Sequence, residues 1–292
     1  MNRKEFITLM SGTLALGSTG ILSSFIDSFG EEDTKLPFFF VGHGSPMNGI
    51  EENDFSKYWK QLGTQLQQPK AILCISAHWL TTGTFITAME APATIHDFGG
   101  FPKALFDVQY PAPGNPELAT EIKNLITTTT VGLDHEWGLD HGCWTIVRHM
   151  YPDANIPVLQ LSIDYSQPAQ YHYDLAKQLA ALRKKGVLIL GSGNMVHNLG
   201  MVAWDRLNES YGFDWTLEMN ELFKQKITDK DHQALINYQQ LHTASSLAIP
   251  TPDHYLPLIY TLGLQEENDT VAFFNDQPMA GSLTMTSVQF GS

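Results

Sequence analysis

Three short apolar runs, each followed within a few residues by a histidine, stand out along this chain. The runs are Phe38–Val41, Ala71–Ile75 and Val187–Leu190, and they are rich in aromatic and β-branched residues. Runs of this length between turn-forming residues are typical of strands buried on both faces of a sheet. The pattern therefore predicts three core strands.

Helical spacing of apolar residues separates these runs and continues after them. Helices are predicted at Asp54–Gln68, Asn115–Ile126, Pro168–Lys185, Phe213–Ile227 and Asp231–Tyr238, with a last one opening on proline in Thr251–Leu258. Further strands are predicted at Thr84–Met89, Pro157–Ile163, Thr270–Phe274 and Ser282–Gln289. Because strands and helices alternate over most of the length, the predicted class is α/β. We expect a single domain with a central, mostly parallel or mixed sheet flanked by helices.

The first 30 residues differ from the rest of the chain. Arg3 and Lys4 precede an apolar run from Phe6 to Phe25 that glycine, serine and threonine interrupt. This arrangement resembles a twin-arginine export signal in which lysine replaces the second arginine, and the interruptions argue against a membrane span. We predict a signal-like or disordered segment at 1–30 and a folded domain at 36–292. The protein is then exported to the periplasm or, if the segment is only a tail, cytoplasmic.

Composition excludes some classes of function but does not identify one. The formal net charge of −14 argues against nucleic-acid binding, which needs a basic surface. Two cysteines are too few for a disulfide framework or a cysteine-rich zinc site. The 11 histidines are therefore the main candidates for metal binding and catalysis. We assign His172, His232 and His242 to surface helices because their neighbours in sequence are polar.

Histidines follow the three core strands at their carboxyl ends, where open α/β sheets bind ligands. The chain has no Walker A loop, no Gly-x-Gly-x-x-Gly after a strand, no Gly-x-Ser-x-Gly and no His-Glu-x-x-His. Imidazole suits zinc, iron, copper and nickel, so His43, His78 and His254 can each supply one nitrogen to a metal. His197 and His141 are then candidates for proton transfer near pH 7.

Six ordered motifs carry a resemblance to a known family. They are Gly42–Met47, Ser76–Trp79, Thr94–Phe98, Tyr110–Gly114, Asp140–Gly142 and Gly191–Asn198. From Pro37 onwards the chain resembles the 4,5-DOPA extradiol dioxygenase family. That family belongs to the class III extradiol ring-cleaving dioxygenases, with the catalytic subunit of protocatechuate 4,5-dioxygenase.

The resemblance implies a metal-dependent dioxygenase that opens a catechol, DOPA-like or a related small aromatic diol, with O₂. Cleavage then occurs next to the two hydroxyl carbons and not between them. One divalent metal ion is implied, Fe(II) for catalysis, with His43, His78 and His254 as ligands. His197 is implied to be an acid/base or a fourth ligand, and His141 a second catalytic histidine.

Two further residues in the matched motifs, His96 and Ser45, are predicted to bind the substrate. An all-histidine site departs from the usual triad of two histidines and one carboxylate, and imidazoles also hold Zn(II), which has no redox chemistry with O₂. A zinc-dependent hydrolase of the same fold and a non-catalytic metal-binding homologue therefore stay open as alternatives. The sequence predicts no oligomeric state.

Overall fold

The computed structural model of the protein describes residues 35–207 and 209–292. The predicted signal-like segment at residues 1–30 lies outside these residues and stays a prediction. Within the described part of the chain, none of the helices combines the length and the apolar character that crossing a lipid bilayer requires.

Strands and helices alternate along the chain. The strands are β1 Phe38–Gly42, β2 Ala71–Ser76, β3 Leu80–Thr81, β4 Thr84–Thr87, β5 Val131–Asp134, β6 Val158–Gln160, β7 Ile163–Asp164, β8 Val187–Gly193, β9 Val271–Phe274, β10 Pro278–Met279, β11 Leu283–Thr284 and β12 Ser287–Phe290. The α-helices are α1 Asp54–Gln65, α2 Lys103–Phe106, α3 Pro116–Leu125, α4 His141–Met150, α5 Ala169–Lys177, α6 Asp214–Thr228, α7 His232–Ile236, α8 Ser245–Ala248 and α9 Leu256–Leu264. Short 3₁₀ helices cover Pro46–Gly49, Ala180–Lys185, Leu199–Met201, Trp204–Arg206 and Tyr238–Gln240.

The central sheet has six strands in the order β6-β2-β8-β1-β12-β9. β6, β2, β8 and β1 run parallel, whereas β12 is antiparallel to β1 and β9 is antiparallel to β12. The predicted α/β class with a mixed central sheet is thus confirmed. The three apolar runs that the sequence singles out form the middle of this sheet as β2, β8 and β1.

Helices cover both faces of the sheet, which explains why its central strands are continuous apolar runs. Side chains alternate across the pleat of β1: Phe38 and Phe40 pack into one core with α5 and α9, and Phe39 and Val41 pack into the other with α4. All five residues of β1 are buried.

Several elements are shorter than the sequence pattern predicts, and two of them show the difference most clearly. The predicted helix Pro168–Lys185 is in fact α5 followed by the 3₁₀ helix Ala180–Lys185, which ends at Gly186 with a φ of 77°. The predicted strand Pro157–Ile163 leaves the central sheet after Gln160, and the chain then pairs with β3 in a two-stranded sheet. The second difference arises from the pairing with β3, which local spacing does not encode.

One prediction about a single residue is wrong: His172 is not on the surface. Its side chain is buried, and its Nδ1 lies 3.0 Å from the hydroxyl of Tyr260. Burial lowers the pKa of His172 to about 4. The polar neighbours next to it in sequence misled the assignment, because Leu175 and Ala176, three and four residues later, share its helix face and are also buried.

The parallel register brings three strand ends to one edge of the sheet. Gly42 pairs with Gly193 across β1 and β8, and Ser76 pairs with Ser192 across β2 and β8. A Cβ at Gly193 would lie 2.1 Å from the carbonyl oxygen of His254, so glycine is required there for the loop before α9 to approach the sheet.

Candidate metal centre at the carboxyl edge of the sheet

The rings of His43, His78 and His254 form a nearly equal triangle at this edge. The ligand atoms that lie within 4.8 Å of one another belong to His43, His78 and His141 in one group and to His197, Asp253 and His254 in another. His43 follows β1, His78 follows β2, and His254 precedes α9. Their ring centroids are 5.0 Å (His43–His78), 5.1 Å (His78–His254) and 5.2 Å (His43–His254) apart. Three imidazoles whose nitrogens lie about 2.1 Å from one ion have centroids separated by about 5 Å. The near-equal spacing therefore fits a shared ion.

The hydrogen bonds around His43 fix which ring nitrogen carries the proton. Its Nδ1 lies 2.9 Å from the hydroxyl of Ser192, and that hydroxyl donates its only proton to the carbonyl oxygen of Gly142 at 2.5 Å. Ser192 must therefore accept from His43, which places the proton on Nδ1 and the lone pair on Nε2.

Carboxylates face Nδ1 of the other two rings. Nδ1 of His254 donates to Asp253 Oδ2 at 2.5 Å, and Nδ1 of His78 lies 3.4 Å from Asp97 Oδ2. Since an ionised carboxylate only accepts, His254 carries its proton on Nδ1. The contact of His78 with Asp97 is a longer charge contact and not a hydrogen bond. Oriented imidazoles of this kind, with a carboxylate on the far nitrogen, are the usual surroundings of a metal-binding histidine.

The Nε2 atoms of two of these rings lie close together. Nε2 of His43 and Nε2 of His78 are 3.1 Å apart. Burial lowers the pKa of both histidines well below the ordinary value, and the neighbouring imidazoles lower it further. Two neutral imidazoles whose Nε2 atoms lie this close can bind one cation, so these residues fit a divalent metal.

The surroundings supply the balancing charge. Although burial alone would raise it, the hydrogen bond from His254 holds the pKa of Asp253 well below the ordinary value. For Asp97, too, burial opposes the effect of His141, and the net shift of the pKa is downwards. Two carboxylates around the rings thus offset the charge of a divalent ion.

His141 is the first residue of α4. Its ring lies against that of His78 and is closer to His78 than to His43. Its ring centroid is 3.9 Å from that of His78 and 5.5 Å from that of His43. Asp140 caps the helix, because its Oδ1 accepts from the backbone N–H of Cys143 at 3.1 Å and from the hydroxyl of Ser76 at 2.7 Å. The cap is buried and anchors His141 to the end of β2.

His197 stacks on His254 from the side. The two rings are 3.6 Å apart between centroids and 6° from parallel. The backbone N–H of His197 donates to the carbonyl oxygen of Ala248, and a bridge joins His197 to Leu283. Burial, with a smaller effect of His254, lowers the pKa of His197 to about 3, so this imidazole is neutral near pH 7.

The two residues predicted to bind substrate lie in different positions. Nε2 of His96 donates to the carbonyl oxygen of Val108 at 3.0 Å, and its ring lies 5.8 Å from Phe98. Phe98 in turn lies 5.5 Å from His141, edge to face. Ser45 is the N-cap of the 3₁₀ helix after His43, where its hydroxyl accepts from the N–H of Met47 at 3.3 Å.

Sequence reasoning missed the acceptors that orient the histidines. Asp97 directly follows His96, Asp253 directly precedes His254, and Ser192 lies in β8. An acidic residue directly before His254 was an available signal for Asp253. No local signal pointed to Asp97 or Ser192, because their partners are 44 and 149 residues away.

Comparison with known proteins shows the family to which the chain is similar. The profile of a family described as the catalytic LigB subunit of aromatic ring-opening dioxygenase matches residues 37–288. The chain is 47% identical over 262 residues to an Escherichia coli (strain K12) protein named 4,5-DOPA dioxygenase extradiol, covering 88% of this chain and 96% of that relative. A Beta vulgaris protein of the same name is 34% identical over 277 residues, covering 90% and 99%. A crystal structure of an uncharacterized protein from Escherichia coli K12 has a TM-score of 0.76 and 42% identity, covering 88% of this chain and all of that one.

Proposed function

We propose that this chain, which belongs to the family of catalytic LigB subunits of aromatic ring-opening dioxygenases, opens the ring of a DOPA-like catechol. It is an extradiol ring-cleaving dioxygenase, a reaction class in which O₂ is the second substrate. The name shared by the Escherichia coli and Beta vulgaris relatives supports DOPA or a close analogue as the aromatic substrate. The same comparisons favour ring cleavage over a zinc hydrolase or a non-catalytic metal-binding protein.

The observation that carries the proposal is the triangle of His43, His78 and His254. We assign these three as the ligands of one divalent ion through Nε2. Fe(II) is the ion the reaction needs, because it supplies the redox chemistry that joins a bound catechol to O₂. Zn(II) also suits three imidazoles, so a purified protein that contains zinc would not contradict the assignment.

We assign His197 to proton transfer and not to the metal. An imidazole offers its lone pair in the plane of its ring, and two nearly parallel planes 3.6 Å apart share no point where one ion can sit. His197 and His254 therefore do not both ligate one ion in this arrangement. The lone pair of a neutral His197 can accept a proton from a catechol hydroxyl and return it later to the opened product.

His141 is the second proposed catalytic histidine. Its Nδ1 donates to Asp97 Oδ2 at 2.9 Å, which leaves the Nε2 lone pair for a substrate hydroxyl. Its centroid lies only 3.9 Å from that of His78, and two rings so close would force an N–metal–N angle below the roughly 90–110° of regular sites. That crowding supports a role beside the metal and not on it.

His96 and Ser45 are proposed to contact the substrate further out. Because Nε2 of His96 donates to Val108, its Nδ1 presents a lone pair that can accept from a substrate hydroxyl or ammonium group. Phe98 lies between His96 and His141 and provides an aromatic surface on which a catechol ring can pack edge to face. Ser45 lies two residues beyond His43.

The proposal is tested by reconstitution. Metal-free protein is loaded with Fe(II) without oxygen, then mixed with L-DOPA in aerated buffer, and the absorbance of the yellow ring-fission product and O₂ uptake are followed. We expect one O₂ consumed per catechol opened, and no product from the zinc-loaded protein. Absence of turnover with Fe(II) across L-DOPA, dopamine, caffeate and protocatechuate would contradict the proposal.

A further inference from the structure

The carboxylate of Asp97 lies between two imidazoles that have different proposed tasks. Its Oδ2 accepts from Nδ1 of His141 at 2.9 Å and faces Nδ1 of His78 at 3.4 Å. Its Oδ1 accepts from the backbone N–H of His141 at 2.9 Å. One side chain thus contacts a proposed metal ligand, a proposed proton-transfer residue and the first turn of α4.

The segment that carries Asp97 is fixed at several points, although it is not part of a strand of the central sheet. The backbone N–H of Ile95 donates to the carbonyl oxygen of Leu139 at 2.7 Å, and Thr94 and Leu139 form a bridge. The indole N–H of Trp144 donates to the carbonyl oxygen of Ile95 at 2.9 Å. These bonds hold the segment against α4 without any contribution from the Asp97 side chain.

We propose that Asp97 is a positioning residue shared by His78 and His141, which sets the tautomer and the orientation of both rings through one oxygen atom. The inference rests on the proposed function, in which His78 binds the metal and His141 moves a proton. Asp97 Oδ2 accepts from Nδ1 of His141 and faces Nδ1 of His78 at 3.4 Å, so the Nε2 atoms of both rings are directed away from it, one to the metal and one to the substrate.

The carboxylate also determines how the two rings share charge. The centroids of His78 and His141 are 3.9 Å apart, and the Asp97 carboxylate lies 2.9 Å from His141 Nδ1 and 3.4 Å from His78 Nδ1, so its negative charge faces both rings. Loss of Asp97 should therefore affect metal binding and turnover together.

Asp97→Asn separates this role from simple anchoring of the segment. The asparagine oxygen can still accept from the backbone N–H of His141, so the anchor at Oδ1 remains. Its amide group, however, replaces Oδ2 with a donor, which cannot accept from either Nδ1. We expect His141 to change to the tautomer with the proton on Nε2, and His78 to bind metal less tightly.

Three measurements on full-length protein read out the two tasks. Competition of the metal-free protein with a chelator gives the zinc affinity, which should fall by roughly 10–100-fold in Asp97→Asn. Long-range ¹H–¹⁵N spectra of zinc-loaded protein labelled with ¹⁵N-histidine should show the His141 tautomer change, with its signal assigned from His141→Gln. At saturating Fe(II), kcat for L-DOPA should fall by roughly 10²-fold, while KM changes little.

Two other variants complete the test. Asp107→Asn is the matched control, because Asp107 is an exposed carboxylate ten residues along that pairs with Lys103 on α2, and it should match the wild type in all three measurements. His141→Gln keeps Asp97 and His78, so it should retain wild-type zinc affinity and lose kcat at least as far as Asp97→Asn. It also keeps the test decisive if Asp97→Asn does not fold.

The outcomes are distinct. A lower zinc affinity with the wild-type His141 tautomer and kcat would mean that Asp97 acts only on the metal ligand His78. An unchanged zinc affinity with a changed His141 tautomer and a lower kcat would mean that Asp97 acts only on His141. Either result overturns the shared role, as does a loss of zinc affinity in His141→Gln. If the wild type opens no catechol, the proposed function fails, whereas the zinc and ¹⁵N measurements still decide what Asp97 does.

Discussion

The two ends of the parallel strands bury polar groups in opposite ways. At the amino end, before β8, the Arg183 guanidinium is only 1% exposed, yet every one of its directions is used. It forms two 2.7 Å bonds to the carboxylate of Asp269, donates to the carbonyl oxygen of Leu36 and lies 4.6 Å from the ring centroid of Phe38. At the carboxyl end, the buried histidines direct Nδ1 to other groups of the protein, whereas Nε2 faces the proposed metal.

The two ends of the sheet thus have different roles, one in stability and the other in metal binding and catalysis. A charge pair whose partners satisfy each other, like Arg183 and Asp269, has no capacity left for a ligand. Neutral imidazoles with one nitrogen bonded and one left over are oriented by the protein and completed by something else. Substitutions at the amino end should therefore lower stability, and substitutions at the carboxyl end should lower metal content and turnover.

Removal of a proposed metal ligand should give the largest effect. His254→Gln leaves two imidazoles for the ion, so metal content should fall and turnover should drop by more than about 10⁴-fold, beyond the range for losing an acid/base group. In the presence of a chelator its thermal midpoint should equal that of the wild type. Metal analysis and calorimetry check this, with exposed His135→Gln as the control. A His254→Gln protein with full metal content would contradict the ligand assignment.

Replacement of His197 should reduce turnover without removing the metal. His197→Gln should lower kcat by roughly 10²–10⁴-fold, the usual range for an acid/base group. The metal-to-protein ratio should stay at the wild-type value, because His43, His78 and His254 remain. Loss of metal in parallel with activity would instead make His197 a ligand, and unchanged turnover would remove it from both roles.

The amino end should show the opposite behaviour. Asp269→Asn leaves the buried Arg183 charge without its partner, which costs about 3–5 kcal/mol in the free energy of unfolding. Metal content and kcat of the folded variant should be those of the wild type. Chemical denaturation and metal analysis measure the two quantities. A loss of metal with unchanged stability would contradict the division between the two ends.

The same ion pair predicts part of the acid sensitivity. Burial would raise the pKa of Asp269, but the hydrogen bonds from Arg183 outweigh burial and leave this pKa below the ordinary value. A carboxylate with a lowered folded-state pKa stabilises the fold above its unfolded pKa of about 3.9 and loses that contribution as pH falls further. The wild type should lose more stability than Asp269→Asn between about pH 5 and pH 2. Equal pH profiles of stability would show that the pKa of Asp269 is the same in the folded and unfolded states.

The first 30 residues should have the smallest effect on the catalytic unit. Deletion of residues 1–30 should leave the thermal midpoint and catechol turnover nearly unchanged, because the pattern of this segment is unrelated to that of the domain. If the segment is an export signal, the deletion should also move the protein from the periplasmic to the cytoplasmic fraction. A collapse in soluble yield would show that the segment belongs to the folded domain.

Local sequence was sufficient for the strands and for the histidines that follow them. β1, β2 and β8 are buried on both faces, so each reads as a continuous apolar run, and parallel pairing then brings His43 and His78 to one edge. The orienting groups were not predictable in this way. Asp97 reaches its partners from a segment outside the central sheet, and the stacking of His197 on His254 depends on the approach of the loop before α9.

The most direct test of the account is the position of the metal in the folded protein. Crystals of the protein loaded with cobalt(II) or Fe(II), measured at the metal absorption edge, locate the ion by anomalous scattering. We predict one ion about 2.0–2.3 Å from Nε2 of His43, His78 and His254, with His197 stacked on His254 and outside bonding distance. An ion bound by His197, or by His141 in place of His254, would contradict it.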